Sequence, residues 1–210
     1  MQAEIRKQMA RELTAFHLPR YEDIPNVGLY LEQTVGYIAD YLQPLQTDAI
    51  TSSMISNYVK KKLVANPIRK QYNREQIATL LFIAVTKSVL SLEHIRVLLT
   101  ICRERYDSRT VYHCFCEELE SAVCQVFGVQ ATESQMWSSP ALVPAGKEDS
   151  SEERYILKNT ITAVVHKIYL EQWIRRYAKA KAEDALHSMS QQTDYDKLPL
   201  VDNTSEIRSS

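Results

Sequence analysis

Apolar residues recur at three- and four-residue spacing along most of the chain, a pattern that predicts helices nearly everywhere. In residues 1–17, Ile5, Met9, Leu13 and Phe16 share one stripe, so an N-terminal helix is expected to dock on a neighbouring element or a partner subunit. Residues 18–25 carry Pro19 and Pro25 and predict an extended strap. Between 29 and 42, Leu31, Val35, Ile38 and Leu42 form a ridge, with Tyr30, Tyr37 and Tyr41 beside it as half-buried packing. A polar connection over 43–50 leads to a short helix capped by Thr51, with Ile55, Tyr58, Val59 and Leu63 facing inward.

Pro67 ends that pattern, and 68–72 reads as a brief extended run. Asn73 and Gln76 make a capping box for a helix whose buried stripe is Ile77, Leu80, Leu81, Ala84 and Val85. Ser91 caps the next helix, which turns Leu92, Ile95, Leu98, Leu99 and Cys102 inward. Residues 109–127 continue with Val111, Phe115, Ala122 and Val126. The stretch 128–151 holds two prolines, two glycines and five serines without a period, and reads as a linker or surface loop. A long helix is predicted over 152–190, with Leu157, Ile161, Val164, Val165, Ile168 and Tyr169 in a band too wide for a coiled-coil seam. It reads as a bundle helix closing the chain's own core, with dimerisation or part of an effector pocket as the alternatives. The tail 191–210 is polar and expected to be disordered.

The 210 residues suit one or two domains, and four glycines with helical spacing throughout point to a mainly all-α fold. Mean hydropathy is −0.30, and no apolar run is long enough for a transmembrane helix or a signal peptide, so a cytoplasmic protein without a membrane partner is expected. Net charge is −1, yet residues 51–100 hold eight Lys or Arg (60, 61, 62, 69, 70, 74, 87 and 96) against Glu75 and Glu93, a local charge of +6. Cation focused on one helical unit is the electrostatic footprint of a duplex-binding module.

On the helix after Thr51, the positions Ser53, Ser56, Asn57 and Lys60 fall at i, i+3, i+4 and i+7, one face opposite the apolar one. Short Ser and Asn side chains let a helix enter a major groove, and Asn can pair bidentately with adenine. Lys60, Lys61 and Lys62 at the helix end, with Arg69, Lys70 and Arg74 beyond, are candidate phosphate contacts. The same face also fits an ordinary solvated helix whose lysines favour the C-terminal dipole. Cys102, Cys114, Cys116 and Cys124 with His113 lack the spacing of a zinc hairpin and read as reduced thiols, with a redox role for Cys114 or Cys116 left open. Neither a phosphate loop nor a nucleophile elbow nor a zincin motif occurs, and an enzyme is not expected; no cofactor is assigned.

Thr51, Ile55, Tyr58 and Leu63, then Tyr72, Glu75 and Ile77, then SLEHI at 91–95, resemble the DNA-binding head of the MerR regulators. That head runs from S-x-R-T-L-R-Y-Y through a wing to Y-x-x-E-x-L and S-L-E-E-I. LPRYEDIPNVGLYLEQ followed by ITSSMISNYVKKKLVANPIRKQYNREQIA is similar to a Firmicute family, a domain of unknown function with a MerR-like helix-turn-helix, over about 18–127. The resemblance implies a transcriptional regulator and a DNA contact at Tyr58. Ser53 and Ser56 replace the two arginines, Lys62 replaces the tight-turn glycine and disfavours a left-handed helix exit, and the wing is short and lacks glycine.

The expectation is therefore a MerR-like head over 18–127, with at most a minimal wing, packed on a helical bundle. It would bind double-stranded DNA as a homodimer, with any small-molecule effector unknown. The alternative is a degenerate helix-turn-helix that binds another protein, and a small-molecule-responsive sensor is compatible with either.

Overall fold

A computed structural model describes residues 1–129 and 152–195, the last ten of these for backbone alone. Among the described residues, seven helices follow in chain order: α1 (Gln2–Glu12), α2 (Leu31–Leu42), α3 (Ser52–Lys60), α4 (Arg74–Thr86), α5 (Leu92–Arg105), α6 (Ser108–Phe127) and α7 (Glu152–Tyr195). Two strands of two residues, β1 (Leu29–Tyr30) and β2 (Gln71–Tyr72), pair antiparallel with Leu29 opposite Tyr72. The protein is mostly helical, as its apolar period predicts.

At the centre is α4. Its capping box forms as expected, with the Gln76 N–H donating to Asn73 Oδ1 at 2.9 Å and the Asn73 N–H to Gln76 Oε1 at 2.8 Å. The burial differs from the predicted stripe: every residue from 76 to 86 is buried, so the helix is covered on all sides. The polar members are satisfied locally, since Thr79 and Thr86 donate to Glu75 O and Phe82 O. Phe82 meets Phe115 of α6 edge-on at 5.1 Å between ring centres.

α7 packs along α6 and also touches α1, α4 and α5. Leu157, Ile161, Val164, Val165 and Ile168 are buried there, which makes α7 a helix that closes the chain's own core. It runs to Tyr195, past the predicted end at 190 and into the segment read as a disordered tail. The linker expected over 128–151 begins with Gly128, left-handed at φ 67 as the C-cap of α6; from 130 on, that linker and the tail after 195 lie outside the described residues. α1 docks on α7 and α6 of the same chain, so its stripe of Ile5 and Met9 needs no partner subunit for burial.

The strap contains a short 3-10 turn at Tyr21–Asp23 and is held from α6. Buried Glu120 accepts the Leu18 N–H at 3.1 Å and the Arg20 guanidinium at 2.8 Å, and the Tyr112 hydroxyl donates to Pro19 O at 3.0 Å. This anchoring places β1 and α2 against α4.

Candidate nucleic-acid interface

α3 begins where Thr51 Oγ1 accepts the Met54 N–H at 3.3 Å, the expected cap. Ile55 and Tyr58 are buried on its inner side, followed by buried Leu63 and Val64. Ser53, Ser56, Asn57 and Lys60 are all exposed, so the predicted polar face is bare to solvent. Two of its hydroxyls are engaged locally: Ser56 Oγ donates to Ser52 O at 2.9 Å, and Ser53 Oγ lies 3.0 Å from Thr51 Oγ1. Among the described residues the Asn57 amide has no partner. One acid borders the first turn, where Ser52 donates to Glu32 at 2.7 Å.

The exit from α3 corrects an expectation. Lys62 is left-handed at φ 57 in spite of its Cβ. The Leu63 N–H reaches Tyr58 O and the Lys62 N–H reaches Val59 O, both at 2.9 Å, which is the paired-bond geometry of a Schellman ending. Burial of Leu63 and Val64 immediately beyond requires the chain to reverse here, and that requirement outweighs the strain.

The next segment is likewise not a simple extended run. Ile68 and Gln71 exchange backbone hydrogen bonds of 3.0 and 2.9 Å around Arg69 and Lys70, whose φ values are 52 and 65. Positive φ at both central residues defines the mirror-image two-residue hairpin turn, usually built from Asn-Gly. β2 continues from it and pairs with β1, so the segment is a tight hairpin turn leading into the small sheet, without a glycine. Gly28 is required beside it, because a Cβ there would lie 2.6 Å from Gln71 Cβ. Arg69 and Lys70 are exposed at the tip, with Ile68 70% exposed next to them.

Two predicted contacts are displaced from this surface. Tyr58 is only 3% exposed and its phenol pKa is raised by burial, so it is a core residue and cannot hold a phosphate from this position. Arg74 is spent on the strap: Nε donates to Ile24 O at 2.8 Å, Nη2 to Glu22 O at 2.9 Å, and the guanidinium lies over the Tyr21 ring. Lys60, Lys61, Lys62, Arg69 and Lys70 remain, all exposed and none in an ion pair among the described residues.

Two supporting residues carry no sequence signal for their role. Arg96 of α5 donates to Lys61 O at the end of α3 and pairs with Glu93 at 3.0 Å. Lys87, at the end of α4, reaches Asp48 O at 3.5 Å and Met54 Sδ at 3.9 Å, and burial lowers its pKa. Both belong to the local charge of +6, yet they are engaged within the fold and brace α3 from behind.

This surface falls in a recognisable segment. Residues 19–115 match the family model of a domain of unknown function, DUF1836. The DUF1836 match covers just under half of the chain, from the strap through α5 and into α6, and so contains α3, the hairpin turn and their braces; α1 and α7 lie outside it. Comparisons with curated proteins and with solved structures found no match.

Proposed function

We propose that this chain binds double-stranded DNA as a transcriptional regulator, with α2 and α3 acting as a MerR-like helix-turn-helix and the hairpin at 68–71 as its wing. One observation carries the reading: the side of α3 made by Ser53, Ser56, Asn57 and Lys60 is exposed and runs directly into exposed Lys61 and Lys62, with exposed Arg69 and Lys70 on the turn that follows. Asn57 offers its amide to a base edge, the serines keep the helix slim enough for a major groove, and the cations take phosphates. Backbone strain at Lys62, Arg69 and Lys70 supports this, since three strained positions in one segment are all occupied by cations. The working form is a cytoplasmic homodimer without catalytic activity, because one such head spans too few base pairs for specificity. Leu170 and Ile174, exposed at 55% and 59% on α7, offer apolar surface for pairing.

Fluorescence anisotropy with random and genomic duplexes at low ionic strength tests the reading. Submicromolar binding that weakens steeply with salt is expected, and no binding at low salt defeats it. Serines at 53 and 56, where the MerR pattern has arginines, favour a second reading in which the same face binds a protein. A stoichiometric partner that survives nuclease treatment, together with a duplex-negative titration, would establish that one instead.

A further inference from the structure

Residues paired across an antiparallel ladder turn their side chains to the same face. Tyr30 is opposite Gln71, and Ile68 is bridged to Gln71 on its other side, so Tyr30, Gln71 and Ile68 form one row across three adjacent segments. Leu29 and Tyr72 take the opposite face, where Tyr72 is buried in the core. The row is left outside: Tyr30 is 54% exposed and Ile68 70%, and Val27, two residues ahead of β1, is 75% exposed. Gly28 adds no side chain beside Gln71, which keeps this face flat.

Exposed apolar surface gathered in one place marks an interaction site, and its dimensions and edges limit the occupant. Neighbouring strands lie about 4.8 Å apart, so the row spans roughly 10 Å, the width of one α-helix with its side chains. A further strand is not added beyond Ile68: both of its backbone groups are spent on Gln71, and Pro67 beside it has no N–H to donate. Val27 and Ile68 are aliphatic, so the successive bases of a nucleic acid strand find a single ring, Tyr30, to stack on.

Charge at the tip sets the sign of the partner. Arg69 and Lys70, between Ile68 and Gln71, are exposed and in no ion pair among the described residues. The acids of the flanking segments are engaged elsewhere. Glu22 pairs with Arg109 and His113, Glu32 accepts the Ser52 hydroxyl, Glu75 accepts the Ser108 hydroxyl, and Asp23 lies by Tyr37. A second copy set on the row by a two-fold axis would bring these cations against their own counterparts, which disfavours self-pairing here.

We propose that this row is a docking surface for an acidic, amphipathic α-helix of a partner protein, its apolar stripe seated between Tyr30 and Ile68 and its acids against Arg69 and Lys70. Tyrosine and arginine are among the residues that dominate such contacts. The proposal does not rest on the DNA reading, and no duplex enters its test.

Two-dimensional NMR of the full chain locates the contact. The probe is a synthetic peptide of about twenty residues built from Glu, Ala and Leu, with its leucines at i, i+3, i+4 and i+7; the control carries Lys in place of Glu. The acidic peptide shifts the amide signals of Tyr30, Ile68, Arg69, Lys70 and Gln71 saturably, and the basic one binds at least about tenfold more weakly, the difference charge-assisted bonds make. Tyr30→Ala lowers the affinity at least about tenfold, and Ile68→Asp abolishes binding. Both side chains are already in solvent, so the fold is kept, which circular dichroism verifies. Arg69→Asn with Lys70→Gly, a pair that suits the turn, removes both charges and weakens binding without loosening the hairpin. The proposal is overturned by the absence of a saturable shift at millimolar acidic peptide, by shifts that fall elsewhere on the molecule, or by equal binding of the basic peptide. A single-stranded oligothymidylate that occupies the row more tightly than the acidic peptide overturns it as well.

Discussion

Lys62 carries the clearest conflict between local preference and native conformation. A left-handed residue with a Cβ costs about 1–2 kcal/mol, while glycine adds about 0.5–1 kcal/mol of unfolded-chain entropy. Lys62→Gly therefore stabilises the protein by roughly 0.5 kcal/mol on this balance, measured by urea denaturation, although it removes a charge from the candidate face. A loss of stability would mean that the position does not need φ near 57. Asp107 offers a residue-scale test against pH. Its carboxylate accepts the Thr110 N–H at 2.7 Å as the cap of α6, and that backbone bond holds its pKa below the ordinary carboxylate value. A group lowered in the folded state contributes stability that is present above its unfolded pKa and lost as pH falls through the folded one. The advantage of the wild type over Asp107→Asn is thus expected at neutral pH and to vanish in acid, followed by thermal melts across the acid range. The thiols follow burial: Cys102 is pushed up to about 11 by desolvation and Cys116 is raised for the same reason, which places neither among reactive cysteines.

At the scale of elements, the first turn of the strap is held by one buried acid, Glu120. Removing Glu120 leaves the Leu18 N–H without an acceptor and Arg20, about a third exposed, without its pair. Glu120→Ala is expected to cost about 2 kcal/mol, below the 3–5 kcal/mol of fully buried pairs because solvent reaches Arg20. Glu120→Gln keeps an acceptor for Leu18 and costs less; chemical denaturation of the two variants side by side reads the difference. Caps are legible in the sequence because they are local: Thr51, Asn73 and Ser91 each bond the residue three positions on, as their spacing predicts. The hairpin turn at 68–71 is not legible in the same way. Arg69 and Lys70 are poor residues for a mirror-image turn, and the Ile68–Gln71 bonds together with the pairing of β2 with β1 hold them there. The double substitution Arg69→Asn with Lys70→Gly installs the pair such turns prefer, and should raise stability while lowering any duplex affinity. Opposite movements of melting temperature and anisotropy midpoint would separate the turn's structural role from its charge.

For the whole molecule, charge and core are segregated. α4 is buried from 76 to 86, and deleting one of its fully buried side chains, as in Leu80→Ala, is expected to cost roughly 2–5 kcal/mol in a denaturation experiment. The five exposed cations around α3 lie on the outside of that core and can be changed without touching it. If they hold phosphates, Lys60, Lys61 and Lys62→Ala together lower the slope of log affinity against log salt by about 0.9 for each phosphate no longer neutralised. The melting temperature should scarcely move. An unchanged slope would remove the lysine cluster from the interface even if DNA is bound.

What the sequence determined by itself was the helical class, the element order and which face of α3 is polar, because each follows from a 3.6-residue period or a cap read over a few neighbours. The period also placed Tyr58 on the inward side, against the DNA contact that the MerR resemblance implies; tertiary structure alone decided that Arg74 is spent on the strap, that α1 covers its own chain, and that α4 is enclosed on every side. Those outcomes rest on contacts between residues far apart in the chain, such as Leu18 with Glu120 across 102 positions and Leu45 with Gln172 across 127. A local pattern records how apolar a face is; which other face covers it depends on how the whole chain closes.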